Sequence, residues 1–149
     1  MQYSEGQVGR VFTVRIDDRE NFISEIQRFV AAMNIQSGII HLLGAVRSAR
    51  VATGPKEPVI PPASRHEEIF GGWELFGLAT IYPGEGGPSV HIHATAGRGI
   101  RTITGCLRER VEVYVAIDAV VIEFIGISAR RLPDERMGVD LPVFDRVLP

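Results

Sequence analysis

Along residues 10–17, Phe12, Val14 and Ile16 alternate with Val11, Thr13 and Arg15, the period-two pattern that predicts a half-buried first strand. The pattern then changes. Asp17 and Asp18 supply cap-type side chains, and Phe22, Ile23, Ile26, Phe29, Val30 and Met33 recur on one helical face with Glu25, Gln27 and Arg28 outside it. This predicts a helix over about residues 19–34. A second strand is expected over 38–51, with Gly44 marking a bulge or a close backbone approach, before Gly54, Pro55, Pro58, Pro61 and Pro62 impose a loop.

Residues 73–82, 89–96, 111–117 and 119–127 are rich in β-branched and aromatic residues and read as further strands. The turn-forming run Tyr82-Pro83-Gly84-Glu85-Gly86-Gly87-Pro88 predicts that the first two pair as an antiparallel hairpin. Beyond Ile127 the chain becomes charged and proline-broken through Arg130, Arg131, Pro133 and Arg136. Residues 128–149, through Pro142 and Pro149, read as an extended C-terminal segment. The expected fold is α+β: a single domain with a mostly antiparallel sheet and one main helix packed on it.

Composition narrows the class. A chain of 149 residues that is 45% hydrophobic and 23% charged, with a mean hydropathy of +0.10, has the makings of one buried core, which excludes a mainly disordered chain. Sixteen basic residues against 18 acidic ones give a net charge of −2, so nucleic-acid contact would have to be local. The single cysteine, Cys106, excludes an internal disulfide. No segment resembles a secretory leader, and no run approaches the roughly 18 to 20 apolar residues of a membrane span. A soluble, cytoplasmic protein without membrane contact is expected.

The sharpest chemical feature is Val90-His91-Ile92-His93-Ala94-Thr95. Residues two apart on a strand point the same way, so His91 and His93 share a face about 7 Å apart along the backbone, within reach of one metal ion. Two familiar histidine patterns do not fit. A cupin needs glycine where this chain has Glu85 and glutamate where it has Gly97 and Arg98, and a histidine-triad hydrolase needs a third histidine where it has Thr95. His41 lies in an apolar stretch and reads as a core histidine, whereas His66 with Glu67 and Glu68 reads as a solvated charge cluster. Arg47 and Arg50 on the second strand, with Arg98 and Arg101 in a glycine-rich loop, form a candidate anion or nucleic-acid surface. Walker spacing is absent from Gly97-Arg98-Gly99, so no nucleotide site is expected.

The order of His91-Ile92-His93, then Arg101-Thr102-Ile103-Thr104-Gly105-Cys106-Leu107, then Val111-Glu112-Val113-Tyr114-Val115 resembles the PPC domain, the plants-and-prokaryotes conserved domain. The opening Gly9-Arg10-Val11-Phe12-Thr13-Val14-Arg15, the segment from Gly38 to Val46, and Gly71-Gly72-Trp73-Glu74-Leu75-Phe76 are similar as well, so the resemblance runs over residues 9–127. It implies a homotrimer, with the Trp73 segment and apolar edges between subunits. Plant members carry the domain beside AT-hooks, and stand-alone prokaryotic members are commonly described as DNA-binding. Here no Arg-Gly-Arg-Pro hook occurs, the nearest string being Gly97-Arg98-Gly99-Ile100-Arg101, and Gly72 replaces an arginine of the plant segment.

The resemblance also implies a third ligand, because the histidine that joins the pair in prokaryotic members falls on Cys106. A set of His91, His93 and Cys106 suits zinc and leaves one tetrahedral position open. No catalytic triad, carboxylate pair or cofactor motif is visible. The expectation is therefore a homotrimeric binding or regulatory module with a zinc site and DNA as a partner. The alternative is a metal-dependent enzyme or small-ligand-binding protein using the same three residues, with Glu74 or another carboxylate as base.

Overall fold

The computed structural model describes residues 1–148, and Pro149 of the expected C-terminal segment lies outside them. The elements in order are β1 (Gln2–Tyr3), β2 (Gln7–Asp17), α1 (Phe22–Ala32), β3 (Gly38–Pro55), β4 (Ser64–Gly84), β5 (Gly87–Arg98), β6 (Arg101–Ile125), β7 (Ala129–Asp134), β8 (Val139–Phe144) and β9 (Arg146–Val147). A mostly antiparallel sheet with one helix is the architecture the hydrophobic pattern predicts. Its main sheet runs β2-β6-β3-β4-β5, and β5 returns to pair with the start of β6. Strands β3, β4, β5 and β6 thus close into a ring, with β2 added along β6. Among the described residues, no helix is long and apolar enough to cross a membrane.

The helix is shorter than its periodicity suggests, and its cap is Asn21 rather than Asp17 or Asp18. Asn21 Oδ1 accepts from the Ile23 amide at 3.1 Å. Arg19 adopts φ 69°, outside the helical region, so no helix can run through it. The Asp18 carboxylate is used elsewhere, accepting from the Val115 amide at 3.0 Å and from Arg47 at 2.8 Å. At the other end Asn34 takes φ 53°, the left-handed turn that stops a helix. Phe22, Ile26 and Val30 bury the inner face of α1 against the inward side chains of the ring, among them Val46, Leu75, Ile92 and Val111. Arg10 holds β2 to β6 through a two-toothed pair with Glu123, at 2.7 and 2.8 Å, and also donates to the Met33 carbonyl at the end of α1.

Two expectations are corrected. The stretch read as a glycine-rich loop is a hairpin: β5 and β6 pair from His93↔Cys106 to Arg98↔Arg101, and only Gly99 and Ile100 turn. The C-terminal segment is also organised, with β7 and β8 paired from Ala129↔Phe144 to Asp134↔Val139 and β9 paired with β1. Its turn is tied by Asp134, which accepts from the Met137 and Gly138 amides, and Gly138 takes φ 67°. Within the segment expected between subunits, Trp73 itself is a core residue whose indole donates to the Phe70 carbonyl, whereas Phe76 is exposed.

Two glycines permit the close approach of strands. Gly44 takes φ 150° opposite β6, and a Cβ there would strike the Ala116 carbonyl oxygen. A Cβ on Gly105, next to Cys106, would strike the Ala52 carbonyl oxygen. Gly44→Ala and Gly105→Ala are each expected to lower the melting temperature by roughly 5–15 °C, a cost of about 2–3 kcal/mol from backbone displacement. Gly97→Ala, with open space around its Cβ, should melt like the parent. Equal melting temperatures for all four proteins would contradict the tight β3–β6 packing.

Candidate metal centre

Register places the three candidate ligands side by side. On β5, His91 lies opposite Thr80 and His93 opposite Leu78, while on its other edge His93 pairs with Cys106 of β6. Ile92 and Ala94, between and beyond the histidines, point into the core. The period-two reading of this segment therefore places the two imidazoles together on the outer face. Their rings stack at 5.0 Å with Nε2 atoms 3.1 Å apart, and Cys106 Sγ lies 3.8 Å from His91 Nε2. One donor atom from each residue falls within 4.8 Å of the others.

A tetrahedral ion with bonds of about 2.0 to 2.3 Å needs donors separated by about 3.3 to 3.8 Å. The Cys106–His91 separation sits at the top of that range, the His91–His93 separation falls just below it and the third lies within 4.8 Å, so modest side-chain rotation brings two nitrogens and a sulfur to the spacing of a small borderline-soft cation.

Burial tunes these groups before any ion arrives. It pushes His91 down to about 4, assisted by the positive charges of Arg131, His93 and Arg108, so its imidazole is neutral and ready to donate at ordinary pH. Burial pushes the Cys106 thiol up, against the opposing influence of Arg108 and Arg131. A metal ion must therefore displace a proton from sulfur to bind there.

The remaining sequence candidates are scattered. His41 is exposed on the outer face of β3 rather than packed in the core, because the alternation set by Ile40 and Leu42 turns it outward. His66, Glu67 and Glu68 are exposed. Glu74 is exposed and lies opposite Gly97 on β5, four positions along β4 from the residue facing His93. It is outside the cluster. Arg47 donates to Asp18, and Arg50 pairs with Glu109 at 2.8 Å. Arg98 and Arg101 face each other across the β5–β6 turn, Arg98 donating to the Phe70 carbonyl and Arg101 lying 5.5 Å from the Trp73 ring. Arg47 and Arg50 line one cleft with Phe70 and Gly71, which Arg98 also reaches, whereas Arg101 lies on Trp73.

Two residues that sequence reasoning passed over stand at the centre instead. Arg108 follows Cys106 by two positions on β6 and shares its face. Arg131, on β7, donates to the hydroxyl of Thr80, the register partner of His91. The turn-forming residues Asp134 and Gly138, between the runs 129–133 and 139–144, are the signal that would have placed Arg131 on one arm of a hairpin.

Residues 3–125 match the model of the Plants and Prokaryotes Conserved (PCC) domain. No curated protein gives a significant match. Among solved structures, a metal-containing protein from Archaeoglobus fulgidus is 25% identical, with a TM-score of 0.84 over 95% of this chain and 98% of its own. A plant- and prokaryote-conserved protein from Pyrococcus horikoshii is 20% identical, with a TM-score of 0.81 over 100% of both chains. A protein of Bacteroides thetaiotaomicron described as a "putative DNA binding protein" is also 20% identical, with a TM-score of 0.77 over 98% of this chain and 100% of its own.

The depressed His91 value sets an acid dependence for the metal-free protein. The folded chain resists a proton that the unfolded chain accepts near 6.5, so stability falls as pH drops from about 6.5 towards 4. Urea midpoints of chelator-treated protein should decline over that window, and His91→Gln should reduce the decline. Parallel curves for the two proteins would contradict the burial argument.

Proposed function

The chain belongs to the Plants and Prokaryotes Conserved (PCC) domain family, and on that premise we propose that it is a homotrimeric module that binds zinc through His91, His93 and Cys106. The observation that carries the metal reading is the convergence of two imidazoles and one thiol from adjacent strands. Two nitrogens and a sulfur suit zinc, and three protein ligands leave a fourth position for water or a ligand. The metal-containing description of the Archaeoglobus fulgidus protein agrees with this reading.

The trimer reading rests on the outer face of the sheet together with the family resemblance. Leu43 is 58% exposed, Phe76 68%, Leu78 41% and Val120 36%. Register joins them into one patch, because Leu43 pairs with Phe76 while His41 has Leu78 on one side and Val120 on the other. A contiguous apolar area of this kind is what subunit association covers. The same face carries His93, so assembly and metal site are neighbours.

DNA takes second place as a partner. It is supported by the description of the Bacteroides thetaiotaomicron protein, but Arg47 and Arg50 are already matched by carboxylates of this chain.

Zinc titration of protein purified without chelator or affinity metal should give one ion per chain, with release of about one proton at neutral pH. His91→Ala and His93→Ala should abolish uptake, and Cys106→His should retain it. Uptake unaffected by both alanine variants would refute the site. Light scattering at micromolar concentration should give a trimer and Phe76→Asp a smaller species, whereas a monomeric parent protein would refute the assembly.

A further inference from the structure

Arg131 is only 8% exposed as a residue, and its Nε is buried. Its Nη1 donates to the Asp140 carbonyl oxygen and its Nη2 to the Thr80 hydroxyl, both at 3.2 Å, and the Nε has no partner. Among the described residues, no carboxylate lies within ion-pair distance of it. Arg108 forms neither a hydrogen bond nor an ion pair among the described residues. Among the described residues eight arginines have a carboxylate partner, and of those that have none Arg131 alone is buried.

Both arginines line one groove of about 710 Å³, and His91 lines it too. Val90, Leu141 and Pro142 supply an apolar wall. Asp140 borders the groove but offers Arg131 its backbone oxygen rather than its carboxylate. A buried positive charge without a counter-ion is costly, and an unpaired Nε adds an unsatisfied donor. The planar guanidinium fork matches an oxyanion, and a second cation beside it raises the local preference for negative charge.

We propose that this groove binds a small organic anion, its carboxylate or phosphate group held by Arg131 and Arg108 and its body laid against Val90 and Pro142. Because His91 forms part of the same lining, the anion sits beside the metal centre. That adjacency rests on the zinc reading, whereas the arginine cradle does not. The groove also depends on the β7–β8 hairpin, which lies beyond the residues matched by the family model. The anion site thus joins Val90, His91 and Arg108 of the matched region to a hairpin that follows it.

Calorimetric titration with inorganic phosphate and with hexanoate, on chelator-treated and on zinc-loaded protein, separates the sources and the two readings. At least one anion should bind once per chain, and added salt should weaken it. Arg108→Ala, an exposed substitution, and Arg131→Lys, which keeps the charge but loses the fork and the Nε donor, should each weaken binding by about tenfold or more. Melting curves will establish that both variants are folded. Binding by the chelator-treated protein upholds the cradle even if zinc uptake fails, and zinc uptake without anion binding upholds only the metal. The proposal falls if neither anion binds either form at about 10 mM, or if both variants bind like the parent. It also falls if the arginine variants dissociate the oligomer while anion uptake is unchanged, because the guanidinium groups would then pair across subunits.

Discussion

At Cys106, strand β6 has a neighbour on each side, Ala52 of β3 and His93 of β5, and there the ring of four strands closes. Side chains alternate along both strands, so a slip of one residue in this pairing would turn Cys106 into the core and bring Gly105 or Leu107 opposite His93. The buried positions defend the register. Leu107, Ala94 and Val51 are inside, and a slip would expose them. Gly105 lets the backbone of β3 approach at the same level. The geometry of the candidate site is thus a by-product of the closure that builds the core, and it exists before any ligand binds.

That preorganisation has an electrostatic side. His91 and Cys106 sit where burial disfavours charge, and Arg108 and Arg131 add positive potential around them. In this setting His91 stays neutral and Cys106 holds its proton. A cation that binds must be soft enough to exchange with the thiol proton, and it brings still more positive charge to a place that already has two unmatched guanidinium groups. An anion in the proposed groove would offset both, and metal, thiolate and anion would then form a locally balanced set.

Much of this arrangement was legible in the chain. Alternation at residues 90–95 put His91 and His93 on one face because that segment is a regular strand with a buried partner set, and the helix was found from its apolar stripe. Cys106 was another matter: only the family resemblance tied it to the histidines, since Gly105 and the charged run Arg108-Glu109-Arg110 disguised the start of β6. Those residues belong to a strand because β3 and β5 supply its hydrogen bonds, which local propensity does not record. Arg131 was hidden for the same reason, its strand being made by pairing with β8 despite Pro133. His41 was misplaced because an apolar neighbourhood does not say which face of the sheet a residue takes.

The central claim is that one imidazole pair and the Cys106 thiolate share a zinc ion. X-ray absorption at the zinc edge on protein that acquires its metal in the cell, purified without chelator or affinity metal, reads the ligand shell directly. The account predicts two nitrogen ligands at about 2.0–2.1 Å, one sulfur at about 2.3 Å and one further light atom. A shell without sulfur, or protein that carries no metal and takes up none on titration, would contradict it.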